Sequence, residues 1–281
     1  ELQLLANGRA DNTVRQYRRH IAHFAAWLQQ QAHSGLVGDV SDLEVAKYMG
    51  SPEARQGSTG RPKSPLTTNA IRSSLKGFFG YLHEAGIIPT NPTRMLRPAT
   101  SAPPPPRGLS DEELQRLLSE VEAARGKPAR RDYVLLRVLA ETGIRLANAL
   151  ALRIEDLELD HGRVRLQHTK AGCRQHAVMP KRTSALLGEF LGGRSEGHVF
   201  ESESGGALTT RHVQRRFRSW CERAGLPVGT TPHALRHSFA MRLYERSGDV
   251  LLVRQALGHR SLSAALTYAS SSSNRVREAI G

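Results

Sequence analysis

Apolar side chains recur at three- and four-residue spacing through Val14, Tyr17, Ile21, Phe24 and Leu28, the stripe of an amphipathic helix that opens at Asp11-Asn-Thr13. Arg15, Arg18 and Arg19 take its other faces. The same spacing predicts a second helix from Ser41 to about Met49. A third runs from Thr67 or Thr68 through Ile71, Leu75, Phe78, Phe79 and Leu82, with Gly86 and Asn91-Pro92 ending it. Between the last two, residues 50–65 are rich in Gly, Ser and Pro, carry Arg55, Arg61 and Lys63, and read as a loop that is mobile without a ligand. Residues 1–97 thus predict a small all-helical bundle.

Four successive prolines, 103–106, favour an extended spacer and cannot continue a helix, so residues 98–106 read as a linker and 107–281 as a second domain. There, Ser110-Asp-Glu-Glu113 is a capping box ahead of a stripe of Leu114, Leu117, Leu118 and Val121. A helix follows from Asp132 to Glu141, stopped by Gly143. Residues 163–168 and 175–179 alternate as two strands joined at Lys170-Ala-Gly172, a hairpin interrupting an otherwise helical domain. Helices resume over residues 209–221, from Thr231 to about Arg246, and over 249–257 before Gly258. The fold class is mainly α, with a small β-hairpin in the larger domain.

Composition narrows the class. At 281 residues, 39% hydrophobic and 23% charged, the chain is long enough for two ordinary domains and unlike a collagen, a disulfide scaffold or a disordered protein. No apolar run approaches the ~20 residues that cross a bilayer. No secretory signal opens the chain, and Cys173 and Cys221 are too few for a disulfide framework, so a reducing cytoplasm is the expected compartment. The formal charge of +14 points to a polyanionic partner, although basic residues also simply solvate surfaces. Lys and Arg outnumber Asp and Glu 12 to 7 in residues 1–100 and 28 to 19 beyond, which suits a protein gripping DNA with both domains.

The candidate chemistry begins at Thr231-Pro-His233-Ala-Leu-Arg236-His237. With Thr at the N-cap and Pro at N1, His233 and Arg236 lie one turn apart on one face. Free N–H groups, an imidazole and a bidentate guanidinium there suit a phosphate, while the turn taken alone is equally a solvated helix start. His233 and His237 also stand at the i,i+4 spacing of helical metal sites, but without the acidic residue or third ligand such a site needs.

Upstream lies Glu141-Thr-Gly-Ile-Arg145, and downstream Leu257-Gly-His259, with Tyr268 nine residues after His259. The ordered set Arg145, Lys170, His233, Arg236, His259 and Tyr268, in the contexts T-G-x-R, H-x-L-R-H and L-G-H, resembles the tyrosine recombinase (phage integrase) family, nearest its simple Xer-type members. The resemblance covers the second domain throughout. The first resembles the family's helical, SAM-like core-binding domain more loosely.

The resemblance implies a site-specific recombinase or integrase that cleaves and rejoins duplex DNA through a 3'-phosphotyrosyl intermediate, without metal, ATP or other cofactor. Tyr268 would be the nucleophile, Arg145 and Arg236 would neutralise the non-bridging oxygens, and Lys170 would protonate the departing 5'-oxygen. His233 would act as base or orienting partner, and His259 would donate to the same phosphate. Four protomers would assemble on two DNA sites. Arg15, Arg18, Arg19, Arg72, Lys76 and Arg215 are the candidate DNA contacts. Where the family usually carries a carboxylate three residues after the first arginine, this chain has Asn148, a weaker neutral brace.

Several features keep a second reading. Arg215, Arg216 and Arg218 can line DNA, while Val213, Phe217 and Trp220 beside them have core spacing. Both cysteines read as inert, and no aromatic–basic interleaving favours single-strand binding. The tail, with Val276 and Ile280 one turn apart, either docks on a neighbour or frays. About ten residues precede the first predicted helix, so the arm-site domain of larger phage integrases is not expected here unless the N-terminus is trimmed. A type IB topoisomerase uses the same Arg, Lys and Tyr logic, and an architectural DNA-binding protein would account for charge and bundle but not for the six ordered residues.

Overall fold

The computed structural model describes residues 1–31, 33–100, 107–166, 175–203, 205–258 and 266. The chain divides into two compact units, Glu1–Pro104 and Pro105–Gly281. The first contains α1 (Leu2–Ala6), α2 (Asp11–Gln30), α3 (Asp42–Gly50), α4 (Pro52–Arg55) and α5 (Pro65–Glu84). Its core joins Phe24, Trp27 and Leu28 of α2 to Val45 and Tyr48 of α3 and to Ile71, Leu75 and Phe79 of α5. Phe24 meets Tyr48 and Phe79 edge-on, with ring centroids 5.0 and 5.9 Å apart, the geometry that aromatic quadrupoles favour. Helices α2 and α5 approach so closely that a Cβ on Gly77 would lie 2.9 Å from Tyr17 Cε1. Inside this interface His20 Nδ1 is 2.8 Å from Ser74 Oγ. The serine proton goes to the Ala70 carbonyl at 3.0 Å, so the serine accepts and His20 carries its hydrogen on Nδ1.

Residues 50–65, expected as a mobile loop, are instead organised. Pro52 opens α4, Ala54 is fully buried, and Gln56 bridges to Pro62. Lys63 Nζ donates to the carbonyls of Glu53 (2.6 Å) and Ala54 (3.2 Å), satisfying the end of α4 from ten residues away. Helix α5 starts at Pro65, earlier than expected, because Ser64 caps it by accepting from Thr67 N and proline suits the first turn.

The second unit contains α6 (Asp111–Ala123), α7 (Lys127–Thr142), α8 (Leu146–Ala151), β1 (Leu157–Glu158), β2 (Arg163–Leu166), β3 (Gln175–Val178), α9 (Lys181–Leu191), α10 (Thr210–Arg223), α11 (His233–Ser247) and α12 (Val250–Leu257). The Ser110–Glu113 capping box forms as the sequence predicts. Helix α7, packed by α6, α9 and α11, is buried on most of its faces and begins five residues before Asp132, with Pro128 in its first turn. Asp132 is buried with it. It accepts from Arg216 Nε (2.5 Å), Trp220 Nε1 (2.8 Å) and Arg131 Nη2 (3.4 Å), which ties the half-buried Arg216 to α7 while Arg215 stays exposed. Val213, Phe217 and Trp220 are core residues.

Strands β2 and β3 pair antiparallel with Val164 opposite Ala177, and the two-residue β1 widens the expected hairpin to a three-stranded sheet. Val164 and Leu166 face the core. Helices α8 and α9 lacked a strong stripe in the sequence, and α1 is too short for one. Among the described residues no helix is long and apolar enough to cross a membrane.

Candidate active site

The second unit gathers three of the six candidate catalytic residues around the end of α7. That helix stops at Thr142 because Gly143 takes the left-handed conformation (φ +63°), which costs a glycine nothing. A Cβ at Gly143 would also meet Phe239 Cδ1 at 2.3 Å, so α11 requires glycine there for packing as well. After the buried Ile144 comes Arg145, half-buried, at the N-cap of α8. Among the described residues its guanidinium donates to nothing.

Arg236 is the opposite case. Only 4% exposed, it donates from Nη1 to the Gly143 carbonyl (2.6 Å) and from Nη2 to the Leu257 carbonyl (2.7 Å). Gly258, also left-handed, ends α12. One side chain on α11 therefore ties the C-terminal end of α7 to that of α12, two helix ends whose last carbonyls lack intrahelical partners. The planar fork of arginine serves both at once.

His233 stands at the start of α11, exposed, with its ring 4.5 Å from that of His237 in an edge-on arrangement. Desolvation first, then the positive charges of Arg236 and Arg145, hold its pKa below the ordinary 6.5, so the imidazole is neutral near pH 7 and keeps a free lone pair. Arg236 and Arg145 thus both lie near enough to His233 for their charge to bear on it. The start of α11 departs from expectation in one respect: Pro232, already helical, holds the N-cap position, no side chain caps the helix, and Ala234 N bonds to the Thr231 carbonyl instead.

Glu141, which the sequence reading passed over, anchors the turn from behind. It accepts from Arg137 Nη1 (3.2 Å), Arg182 Nη2 (2.8 Å) and Thr183 Oγ1, joining α7 to the start of α9 four residues before Arg145. Its signal was its place in the T-G-x-R context. Asn148 is half-buried on α8. Lys170, His259 and Tyr268 lie outside the described residues, as do Cys173 and the tail with Val276 and Ile280. The Cys221 thiol is buried and pushed up to about 12 by desolvation first, consistent with an inert residue.

In the first unit Arg15, Arg18 and Arg19 are all exposed on α2. Lys63, also passed over as a candidate contact, is brought near Arg19, and both lower the pKa of His20 after desolvation. Arg72 and Lys76, one turn apart on α5, are turned to their own chain: Arg72 Nη1 donates to Asn69 Oδ1 (2.9 Å) and Lys76 Nζ to the Leu96 carbonyl (3.5 Å). Among the described residues no group of three or more His, Cys, Asp or Glu is placed to hold a metal.

Comparison with known proteins supplies the context for this geometry. Residues 107–275 match the phage integrase family and residues 2–86 its N-terminal SAM-like domain. Tyrosine recombinase XerC of Xylella fastidiosa (strain M23) is 34% identical over 269 residues, covering 93% of this chain and 86% of the relative. Tyrosine recombinase XerC of Xanthomonas campestris pv. campestris (strain B100) is 31% identical over 261 residues, covering 92% and 78%. In fold, the chain is similar to the XerH site-specific recombinase bound to palindromic difH substrate, with a TM-score of 0.78, 22% identity, and coverage of 98% of this chain and 81% of that one. With both units matched to the same family and the ordered motifs in place, the chain belongs to the phage integrase family of tyrosine recombinases.

Proposed function

We propose that this chain is a site-specific recombinase that cleaves and rejoins duplex DNA at the site built on α7, α8 and α11. The observation that carries the reading is the convergence of Arg145, His233 and Arg236, two guanidinium groups and a neutral imidazole, at the turn after α7. Phosphoryl transfer needs the charge on the non-bridging oxygens neutralised as the phosphorus becomes five-coordinate, and two arginines supply that without a metal. The Tyr268 hydroxyl oxygen attacks phosphorus and the P–O5' bond breaks. The phenol proton passes to the neutral His233, and the departing 5'-oxygen takes a proton from Lys170. A 5'-hydroxyl from the partner strand then attacks the 3'-phosphotyrosyl bond and reverses the sequence, so the bond energy is conserved and no nucleotide cofactor enters.

The partner is double-stranded DNA. Residues 1–97 act as the core-binding domain and contact the backbone through Arg15, Arg18 and Arg19, joined by residues 98–106 to a catalytic domain over 107–281. Arg215 is a further exposed contact, and Arg72 and Lys76 join it when phosphate replaces Asn69 Oδ1 and the Leu96 carbonyl as their acceptors. Four protomers on two sites complete the reaction, in the cytoplasm. Tyr268→Phe removes one oxygen and keeps shape and charge: on a nicked suicide substrate it should bind DNA with unchanged affinity and form no covalent adduct on a denaturing gel. Adducts that persist in this variant would move the nucleophile elsewhere, with Tyr244 the first residue to test.

A further inference from the structure

Behind the Arg145 turn, the second unit carries a half-open pocket of about 430 Å³ between α6, α7 and α11. Its floor is apolar, formed by Leu114, Leu118, Phe239 and Leu243, and its rim carries Arg137, Arg182, Arg242 and Arg246 against only Asp111 and Glu141. Glu141 is taken by Arg137 and Arg182. Arg242 donates from Nη2 to the Ala140 carbonyl (2.8 Å), while its Nη1 is buried without a hydrogen-bond acceptor, 3.6 Å from Asp111 Oδ1. Arg246 has no carboxylate partner among the described residues and is exposed. Among the described residues Arg246 thus has no carboxylate, and Arg242, although ion-paired with Asp111, leaves its Nη1 without a hydrogen-bond acceptor.

We propose that this pocket docks an acidic, apolar peptide segment of a partner protein, its aliphatic side chains on the floor and a carboxylate at Arg242 and Arg246. Charge complementarity selects the sign: a basic segment would meet four arginines, whereas a carboxylate supplies the acceptor that the buried Arg242 Nη1 lacks. The volume falls in the range of specific ligand pockets, and the mix of apolar floor with few polar groups is what such sites use. Phe239, on the floor, packs directly on Gly143, and Arg242 holds the carbonyl of Ala140 in the last turn of α7, so the pocket wall is fixed by the fold.

The test uses the full chain and a fluorescein-labelled octapeptide of alternating glutamate and leucine, read by anisotropy. The peptide should bind saturably, and saturating duplex DNA should leave that binding in place, because the pocket is distinct from the candidate phosphate site. The alternating lysine–leucine peptide should not bind. Arg246→Glu and Gln115→Glu, both exposed rim positions, should each weaken binding by about tenfold without changing Tm. Loss of the peptide on adding DNA, equal binding of the lysine peptide, or unchanged affinity in both variants would overturn the proposal.

Discussion

Arg145 and Arg236 are proposed for the same chemical task, yet they carry different structural loads, and replacing each by lysine separates the two. Arg236→Lys keeps the positive charge but not the fork, and an ammonium placed between two carbonyls on different helices reaches one of them. One charge-assisted bond to a buried carbonyl is then lost, either to Gly143 or to Leu257, at a cost of about 1.5–3 kcal/mol. For a unit of this size 1 kcal/mol moves Tm by about 2–4 °C, so the transition of the second unit should fall by roughly 3–12 °C. Arg145→Lys removes no bond among the described residues and should stay within about 0.5 kcal/mol of the parent. Thermal unfolding followed by circular dichroism at pH 7.5 measures both, and suicide-substrate cleavage run in parallel should fall in each. If Arg236→Lys melts with the parent, or if Arg145→Lys is the less stable of the two, the clamp between the ends of α7 and α12 does not hold the site as argued.

Three further outcomes follow from the same geometry. Gly143→Ala forces a left-handed alanine, about 1–2 kcal/mol, and drives a methyl into Phe239, about 1–3 kcal/mol more, so its unfolding midpoint in urea should drop and its cleavage should be lost; a midpoint equal to the parent's contradicts the contact. Asp132→Asn leaves Arg216 and Arg131 beside a neutral group and should destabilise by about 3–5 kcal/mol, whereas a stable variant would show that Trp220 packing alone secures α10. His20, His212 and His233 all have pKa values lowered in the fold, desolvation being the first cause in each. The unfolded chain therefore binds protons first, so stability is full above about pH 6.5 and declines as pH falls through it. Tm should be lower at pH 5.5 than at 7.5, and His20→Asn should shrink the difference; a Tm that rises on acidification reverses the assignment.

What could be read from the chain alone was whatever is encoded within a turn or two. The stripe of Phe24 and Leu28, the capping box at Ser110 and the stop at Gly143 are local, because a helix is specified by spacing, by the residue that meets its free N–H groups and by the glycine that relieves its end. The family motifs were legible for a different reason: phosphoryl transfer calls for particular residue types, and their order along this chain resembles the pattern of one family. Their arrangement was not legible. Arg236 reaches a carbonyl 93 residues away and Arg216 a carboxylate 84 residues away, and nothing near either residue in the chain marks its partner. Likewise, a stretch of glycine, serine and proline reads as a loop until Lys63 is seen to close the end of α4. Hydrogen bonds to helix ends and buried carboxylates are satisfied by whichever side chain the fold brings within reach. Sequence thus determined many of the helices and the family pattern, and only the tertiary structure decided that Arg236 clamps the ends of α7 and α12 while Arg145 has no hydrogen-bond acceptor among the described residues.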